Sequence, residues 1–484
     1  MRLVAGSDER GPYVSSAIVL GALGLLALTV LTKSRPLEAT PAVAAVIVFA
    51  VAYRTLLAWD SLLALLALVI LFIPIQRYVL PGSLPVELEP YRLLVAFMIA
   101  GWIASLLVDP SVRLRRTGFE VPVLLILAGV LGSVLANSSE VAERDPFVVK
   151  GISFLLRFVL LFVFIVSVVK TTGQIEWLLR FMVSGGAVLA VFAIVESRTQ
   201  YNVFDHLSNV VPLLDSTPFS VASSEEGRGV RAYASAQHPI ALGAAFVLLI
   251  PPAVYLVRRA ARARWWWWLA VALLAFGALA TLSRTSVLML VAVAATFLWL
   301  RPRETRRLLP LLLPAIIAAH FVVPGTLGTL KESFFPKGGL IAEQQSNPGS
   351  RGQGRIADLG PSLREFAHKP LVGQGYATRV VDRTHPSDQI LDDQWLGILL
   401  ETGLVGLVGW LWLVGRAIRR LALAAKQDLS MRGWLLAALA ASVTTYTVGM
   451  LTFDAFAFIQ VTFLFFMLLG LGAAALRIPA EPAP

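Results

Sequence analysis

Apolar runs of about 17 to 25 residues, the length a helix needs to cross a hydrocarbon core of roughly 30 Å, recur from Val14 to Leu476. Such a run can lie in lipid only as a helix, because each backbone N–H and C=O must find its partner inside the segment. The spacing predicts spans at roughly 14 to 33, 40 to 57, 60 to 75, 91 to 108, 119 to 136, 152 to 169, 175 to 196, 237 to 257, 265 to 282, 285 to 300, 308 to 324, 391 to 415, 433 to 452 and 455 to 476. The expected fold is therefore an all-α polytopic membrane protein with about 12 to 14 transmembrane helices. With 57% hydrophobic and 15% charged residues, the chain leaves no room between spans for a soluble domain of ordinary size. The first run follows two arginines, as a secretory signal would. Its length, the lack of a small-residue cleavage site and the many spans behind it mark it as a retained helix.

A net charge of +11 would raise nucleic acid as a partner for a soluble protein. In a polytopic one, basic residues collect in cytoplasmic loops, so their placement matters more than their number, and no nucleic acid is implied. The clusters at 257 to 264, 301 to 307 and 415 to 420 fall on one face by strict alternation, which predicts that face to be cytoplasmic. Counting back places 112 to 118, Lys170 and both termini on the same side. The long loops 197 to 236 and 325 to 390 then face outward. Within the second, Ile356, Leu359, Leu363 and Phe366 recur at helical spacing over Gly354 to His368, which suits an amphipathic helix lying on the membrane. Trp265 to Trp268 sit beside a basic cluster and read as an interfacial anchor; a carbohydrate platform would need the opposite face. With no cysteine, the chain holds no disulfide and no thiolate metal site.

Three polar clusters stand at span ends, where burying a charge is costly. The first comprises Arg228, Arg231 and the run Ser235 to Pro239 with His238. The second is Ser283, Arg284, Thr285 and Ser286, in a tight turn between apolar spans. An arginine there can snorkel to lipid headgroups. Alternatively, Arg231 and Arg284 converge on an anion, since guanidinium offers a permanent planar fork of donors for phosphate oxygens. Arg351, Arg355, Arg379 and Arg383 lie on the same predicted face and suit a diphosphate. The third cluster holds His385, Asp388, Asp392, Asp393 and Gln394, with Glu401 inside the span that follows. Adjacent aspartates at a helix start can simply cap it; a carboxylate poised beside arginines can also act as a general base toward a sugar hydroxyl. The histidines show no ligand spacing and no Gly-rich phosphate loop is present, so neither metal nor nucleotide cofactor is expected.

The stretch Gly354 to Gly375 with Arg355, the run Pro370 to Tyr376, and Asp392 to Leu396 followed by Leu400 to Gly406 resemble the signature region of the O-antigen ligase and O-antigen polymerase superfamily. The resemblance is strongest over about 230 to 415. It implies a GT-C-like glycosyltransferase of the bacterial cytoplasmic membrane, inverting and metal-independent. Such an enzyme transfers a glycan from an undecaprenyl-diphosphate donor to a lipid or glycan acceptor on the outer face. It further implies that Arg231 and Arg284 hold the diphosphate, with Arg355 a weaker match in the loop, while Arg351 is a candidate from the arginine group alone. Where the ligases carry His-Asn at the start of the span after the large loop, this chain carries Asp392 and Asp393, so the histidine-base mechanism does not transfer and an aspartate is the expected base. His238, Arg379 and Glu401 are further candidates. The chain divides into N-terminal helices and an outer loop over 1 to 230, and a ligase-like region over 231 to 484. The competing expectation is a lipid-linked oligosaccharide flippase or other transporter, for which Arg157, Arg180 and Asp454 would be charges within the bilayer. The absence of an internal repeat weighs against it.

Overall fold

A computed structural model of the chain describes residues 58–81, 88–109, 112–217, 224–225, 229–335, 358–379 and 391–479. The two spans predicted nearest the N-terminus lie outside the described residues, as do Arg228, Arg351, Arg355, Arg383, His385 and Asp388. In chain order the helices of eight or more residues among the described residues are α1 (Trp59–Phe72), α2 (Pro90–Val108), α3 (Glu120–Ala136), α4 (Asp145–Val168), α5 (Thr172–Thr199), α6 (Pro239–Arg259), α7 (Arg264–Ala280), α8 (Arg284–Leu300), α9 (Leu312–Val322), α10 (Thr326–Phe334), α11 (Leu359–Phe366), α12 (Gln394–Gln427), α13 (Met431–Gly449) and α14 (Ile459–Ala475). Strand structure among the described residues amounts to two antiparallel pairs, Tyr78–Val79 with Asp215–Ser216 and Ser224–Glu225 with Gly229–Val230.

The chain is an all-α polytopic membrane protein. Helices α2, α4, α5, α6 and α12 are long and apolar enough to cross a bilayer, and α1, α3, α7, α8 and α14 are shorter apolar helices. Leu107, Leu131, Leu135 and Val291 are exposed on the flanks of α2, α3 and α8, where only lipid makes such apolar exposure favourable. Helices α6 and α14 are buried almost from end to end and form the centre of the bundle, with α13 between them. Around this centre, α4 packs on α14 through Phe158 stacked on Phe466 at 5.2 Å. Helix α12 packs on α3 and α13.

The α3–α12 crossing is set by small residues. A Cβ on Gly129 would stand 2.8 Å from the backbone nitrogen of Gly406, so the two helices approach backbone to backbone. This crossing fixes where the first half of α12 lies, and the candidate site is built on that half.

Candidate active site

Helix α12 is broken at Gly403, whose φ of 63° and ψ of −161° belong to a region that residues with a Cβ scarcely populate. A continuous helix would return the N–H groups of Leu404 and Val405 to Leu400 and Glu401. Here they donate to the carbonyls of Pro370 (2.9 Å) and Leu371 (3.2 Å). The released acceptors are satisfied in turn: Gln374 N–H donates to the Leu400 carbonyl at 2.9 Å, and the Ser133 hydroxyl of α3 donates to the Glu401 carbonyl. The loop 370–376 and the break thus interlock, each supplying what the other lacks, as non-helical backbone at membrane depth requires. Gly373, at φ 70°, is the other half of the joint, since a Cβ there would lie 2.5 Å from the Glu401 carbonyl carbon. Asn137 ties the loop to α3 by donating to the Gly373 carbonyl at 3.0 Å.

At the start of α12, the Asp393 carboxylate accepts from the N–H groups of Trp395 (2.9 Å) and Leu396 (3.2 Å), so it caps the helix. Gln394 binds the turn between α13 and α14, donating its N–H to Met450 O (2.8 Å) and accepting Phe456 N–H on Oε1 (2.7 Å). That same turn holds the two other clusters. Gln237 Oε1 accepts from Ile459 N–H at 2.9 Å, the His238 ring stacks on Phe458 at 5.5 Å, and Thr285 Oγ1 meets Thr452 O at 3.4 Å. The segment 450–458 therefore gathers all three clusters that the sequence set apart.

The 231–238 segment is shaped by groups the sequence did not single out. Ala234 has φ 41°, and its peptide is clamped from several sides. Arg77 Nη2 donates to the carbonyls of Ala234 (2.5 Å) and Ala236 (2.8 Å), while Nη1 pairs with Asp205 at 2.7 Å. Asn202 donates to Ala234 O at 3.0 Å, and the Glu196 carboxylate accepts the N–H groups of Tyr233 and Ala234. Burial lowers the Arg77 pKa below the ordinary arginine value, and the nearby Asp205 carboxylate partly restores it. Arg231, 2% exposed, donates from Nε to the Thr281 carbonyl at 3.2 Å, which seats it on the turn that leads into Arg284, the first residue of α8.

A cavity of about 340 Å³ opens between α4, the first half of α12 and the 450–458 turn. Its ionisable lining comprises Lys150, Arg379, Asp393, Glu401 and Asp454, with Gln76 and Gln394 beside them. The rest is largely aromatic: Phe147, Phe154 and Phe158 on one face of α4, and Tyr376, Trp410 and Phe456 opposite. Arg379 is partly neutralised by Glu365 of α11 at 2.5 Å, and its Nε has no hydrogen-bond partner among the described residues. Burial, reinforced by the charge of Asp392, pushes the Asp454 carboxyl up to about 6, and burial next to Glu401 and Asp454 pushes the Tyr376 phenol well above its usual value.

Of the residues expected from sequence, Asp393, Glu401 and Arg379 line this cavity. Arg231, Arg284, His238 and Asp392 are not part of its lining; the 450–458 turn and the start of α12 connect them to it. Arg351 and Arg355 fall outside the described residues. Of the charges that suggested a transporter, Arg180 pairs with Glu176 at 3.5 Å, Arg157 lies 5.4 Å over the Phe154 ring, and Asp454 belongs to the cavity. Sequence reading missed Lys150 and Gln76. Lys150 sits between Phe147 and Phe154 at helical spacing, a cation on an otherwise aromatic face, and that signal was present in the sequence. Among the described residues no group of three His, Asp or Glu side chains is arranged to hold a metal ion.

No curated protein matches the chain in sequence. The family match that does exist spans α7 to the first half of α12, taking in Arg284, Arg379, the aspartates and the break at Gly403, and it supports a bacterial membrane enzyme that transfers a glycan. Over residues 269–411 the chain matches the O-antigen ligase family, the one its 370–376 and 392–406 motifs resemble.

Proposed function

We propose that this protein is a membrane glycosyltransferase of the O-antigen ligase or polymerase type, moving a glycan from a polyprenyl-diphosphate donor to a lipid or glycan acceptor on the outer face of the cytoplasmic membrane. The observation that carries the reading is the interlock of the 370–376 loop with the break at Gly403, which sets Asp393 and Glu401 of the family-matched region into one cavity. In this reaction the acceptor oxygen forms a bond to the anomeric carbon as the bond from that carbon to the phosphate oxygen breaks. The electron pair leaves with the polyprenyl diphosphate, and the hydroxyl proton passes to a carboxylate. Arg231 and Arg284 stabilise the departing diphosphate by fixed positive charge. Asp392 or Asp393 takes the proton, a contribution of about 10²- to 10⁴-fold for a positioned base. No step calls for a metal ion.

The test is glycan transfer by the full-length protein in nanodiscs from a polyprenyl-diphosphate-linked donor. Arg284→Ala and Arg231→Ala should each lower turnover by about 10²-fold or more, read on protein shown by its melting curve to be folded, because Arg231 is buried against the Thr281 carbonyl. Transfer at the wild-type rate in both variants would refute the assignment of the arginines. A folded protein that transfers nothing but moves labelled lipid-linked glycan between leaflets would replace the enzyme with a transporter.

A further inference from the structure

The cavity holds more carboxyl groups than proton transfer needs, and its aromatic walls serve no part of that step. Among the described residues, Asp393, Glu401 and Asp454 contribute carboxyl groups to its lining, and Gln76 and Gln394 contribute amides. Against them stand Lys150 and Arg379, and the Arg379 charge is shared with Glu365. Aromatic faces with a few convergent carboxylates and amides form a site for a polyhydroxylated ring: the ring's C–H face covers an aromatic surface, and its hydroxyls donate to carboxylates. Arg379 supplies an independent pointer. Its side chain is 9% exposed, and its Nε–H lacks an acceptor among the described residues of the cavity wall. A sugar hydroxyl or ring oxygen is the acceptor that chemistry calls for.

We propose that this cavity is the acceptor-sugar subsite, that Asp454 and Glu401 are its hydroxyl-binding pair, and that it takes a neutral or amino sugar and rejects an acidic one. The inference rests on the transferase reading for its role and goes beyond it in naming the acceptor's chemistry. Discrimination follows from charge. A uronate or phosphorylated ring would bring a further anion among carboxylates in a partly desolvated space, where like charges repel strongly. An ammonium on the ring meets the opposite field. Asp454 comes from the turn that also holds the Arg284 helix through Thr285, so an acceptor bound to it is held in register with the donor side.

Binding and transfer are measured together on the full-length protein in nanodiscs, with methyl glycosides of glucose, glucosamine and glucuronic acid as probes. Binding is read by saturation-transfer NMR, which needs no turnover. The glucose and glucosamine probes should bind and the glucuronide should not. Asp454→Asn and Glu401→Gln should each weaken the binding of the first two by about 10- to 100-fold, narrow the discrimination against the glucuronide, and leave the donor KM unmoved. Equal binding of all three probes to the wild type would overturn the proposal, and that comparison needs no variant to fold. A donor KM that moves while sugar binding stays constant would overturn it as well. Charge-selective binding without any transfer would leave the subsite standing and remove the transferase reading. Transfer without charge preference would do the reverse.

Discussion

Replacing Gly403 with alanine tests the broken helix directly. The added Cβ would lie 2.3 Å from the Leu371 carbonyl oxygen and 2.6 Å from the Val372 nitrogen, and both are backbone atoms that cannot rotate away. Holding a residue with a Cβ at φ 63° and ψ −161° costs about 1–3 kcal/mol. That conformation does not relieve the clash, so the loop must also move aside, which gives up the hydrogen bonds from Leu404 to Pro370 and from Val405 to Leu371 at about 1 kcal/mol each. The two effects together predict a loss of about 3–5 kcal/mol, and with it the wall of the cavity that carries Tyr376 and Arg379. Gly415→Ala in the same helix is the control, because a Cβ there meets nothing within 4 Å and should be neutral or slightly stabilising. Thermal unfolding and glycan transfer, measured side by side for the two variants in detergent, give the answer. A Gly403→Ala protein as stable and as active as Gly415→Ala would refute the interlock as the source of the site's geometry.

The two roles open to Asp393 separate by substitution. Asparagine caps a helix about as well as aspartate, so Asp393→Asn should hold stability within a few tenths of a kcal/mol while transfer falls by about 10²-fold or more; unchanged transfer would reduce Asp393 to a cap. Asp393→Ala should lose about 1 kcal/mol of stability as well. Arg77→Met removes a guanidinium that serves two backbone carbonyls and Asp205. Because Asp205 is itself 39% exposed and stays hydrated, and Asn202 still donates to the Ala234 carbonyl, the expected loss of about 1–3 kcal/mol comes mainly from the stranded carbonyl of Ala236, and a melting curve unmoved by the change would show that Glu196 and Asn202 hold the segment without it.

The helices were legible because the bilayer imposes their length. Each predicted span from 60 to 75 onward corresponds to a helix. The largest misfit in extent is α12, which continues to Gln427 beyond the predicted end at 415. Arg416, Arg419 and Arg420 interrupt the apolar run that defines a span, yet the helix continues because Ala417, Leu421, Ala422 and Ala425 stay buried against the bundle. The amphipathic segment with Leu359, Leu363 and Phe366 is the helix α11. The cavity lining was legible where it is written in side chains, as at Asp393, Glu401 and Arg379. It was not legible where backbone does the work. Nothing local distinguishes Gly403 from the neighbouring glycines of α12, because its conformation is set by a loop about thirty residues earlier in the chain. Asp454 read as a stray charge for the same reason, since its partners come from helices distant in sequence.

The turn 450–458 also has a consequence for biogenesis. Gln237, Thr285 and Gln394 all precede their partners Ile459, Thr452 and Phe456 in the chain. During synthesis, α6, α8 and α12 are therefore threaded into the membrane before the segment that draws their ends together exists. The three polar clusters are therefore drawn together only once α13 and α14 have been inserted.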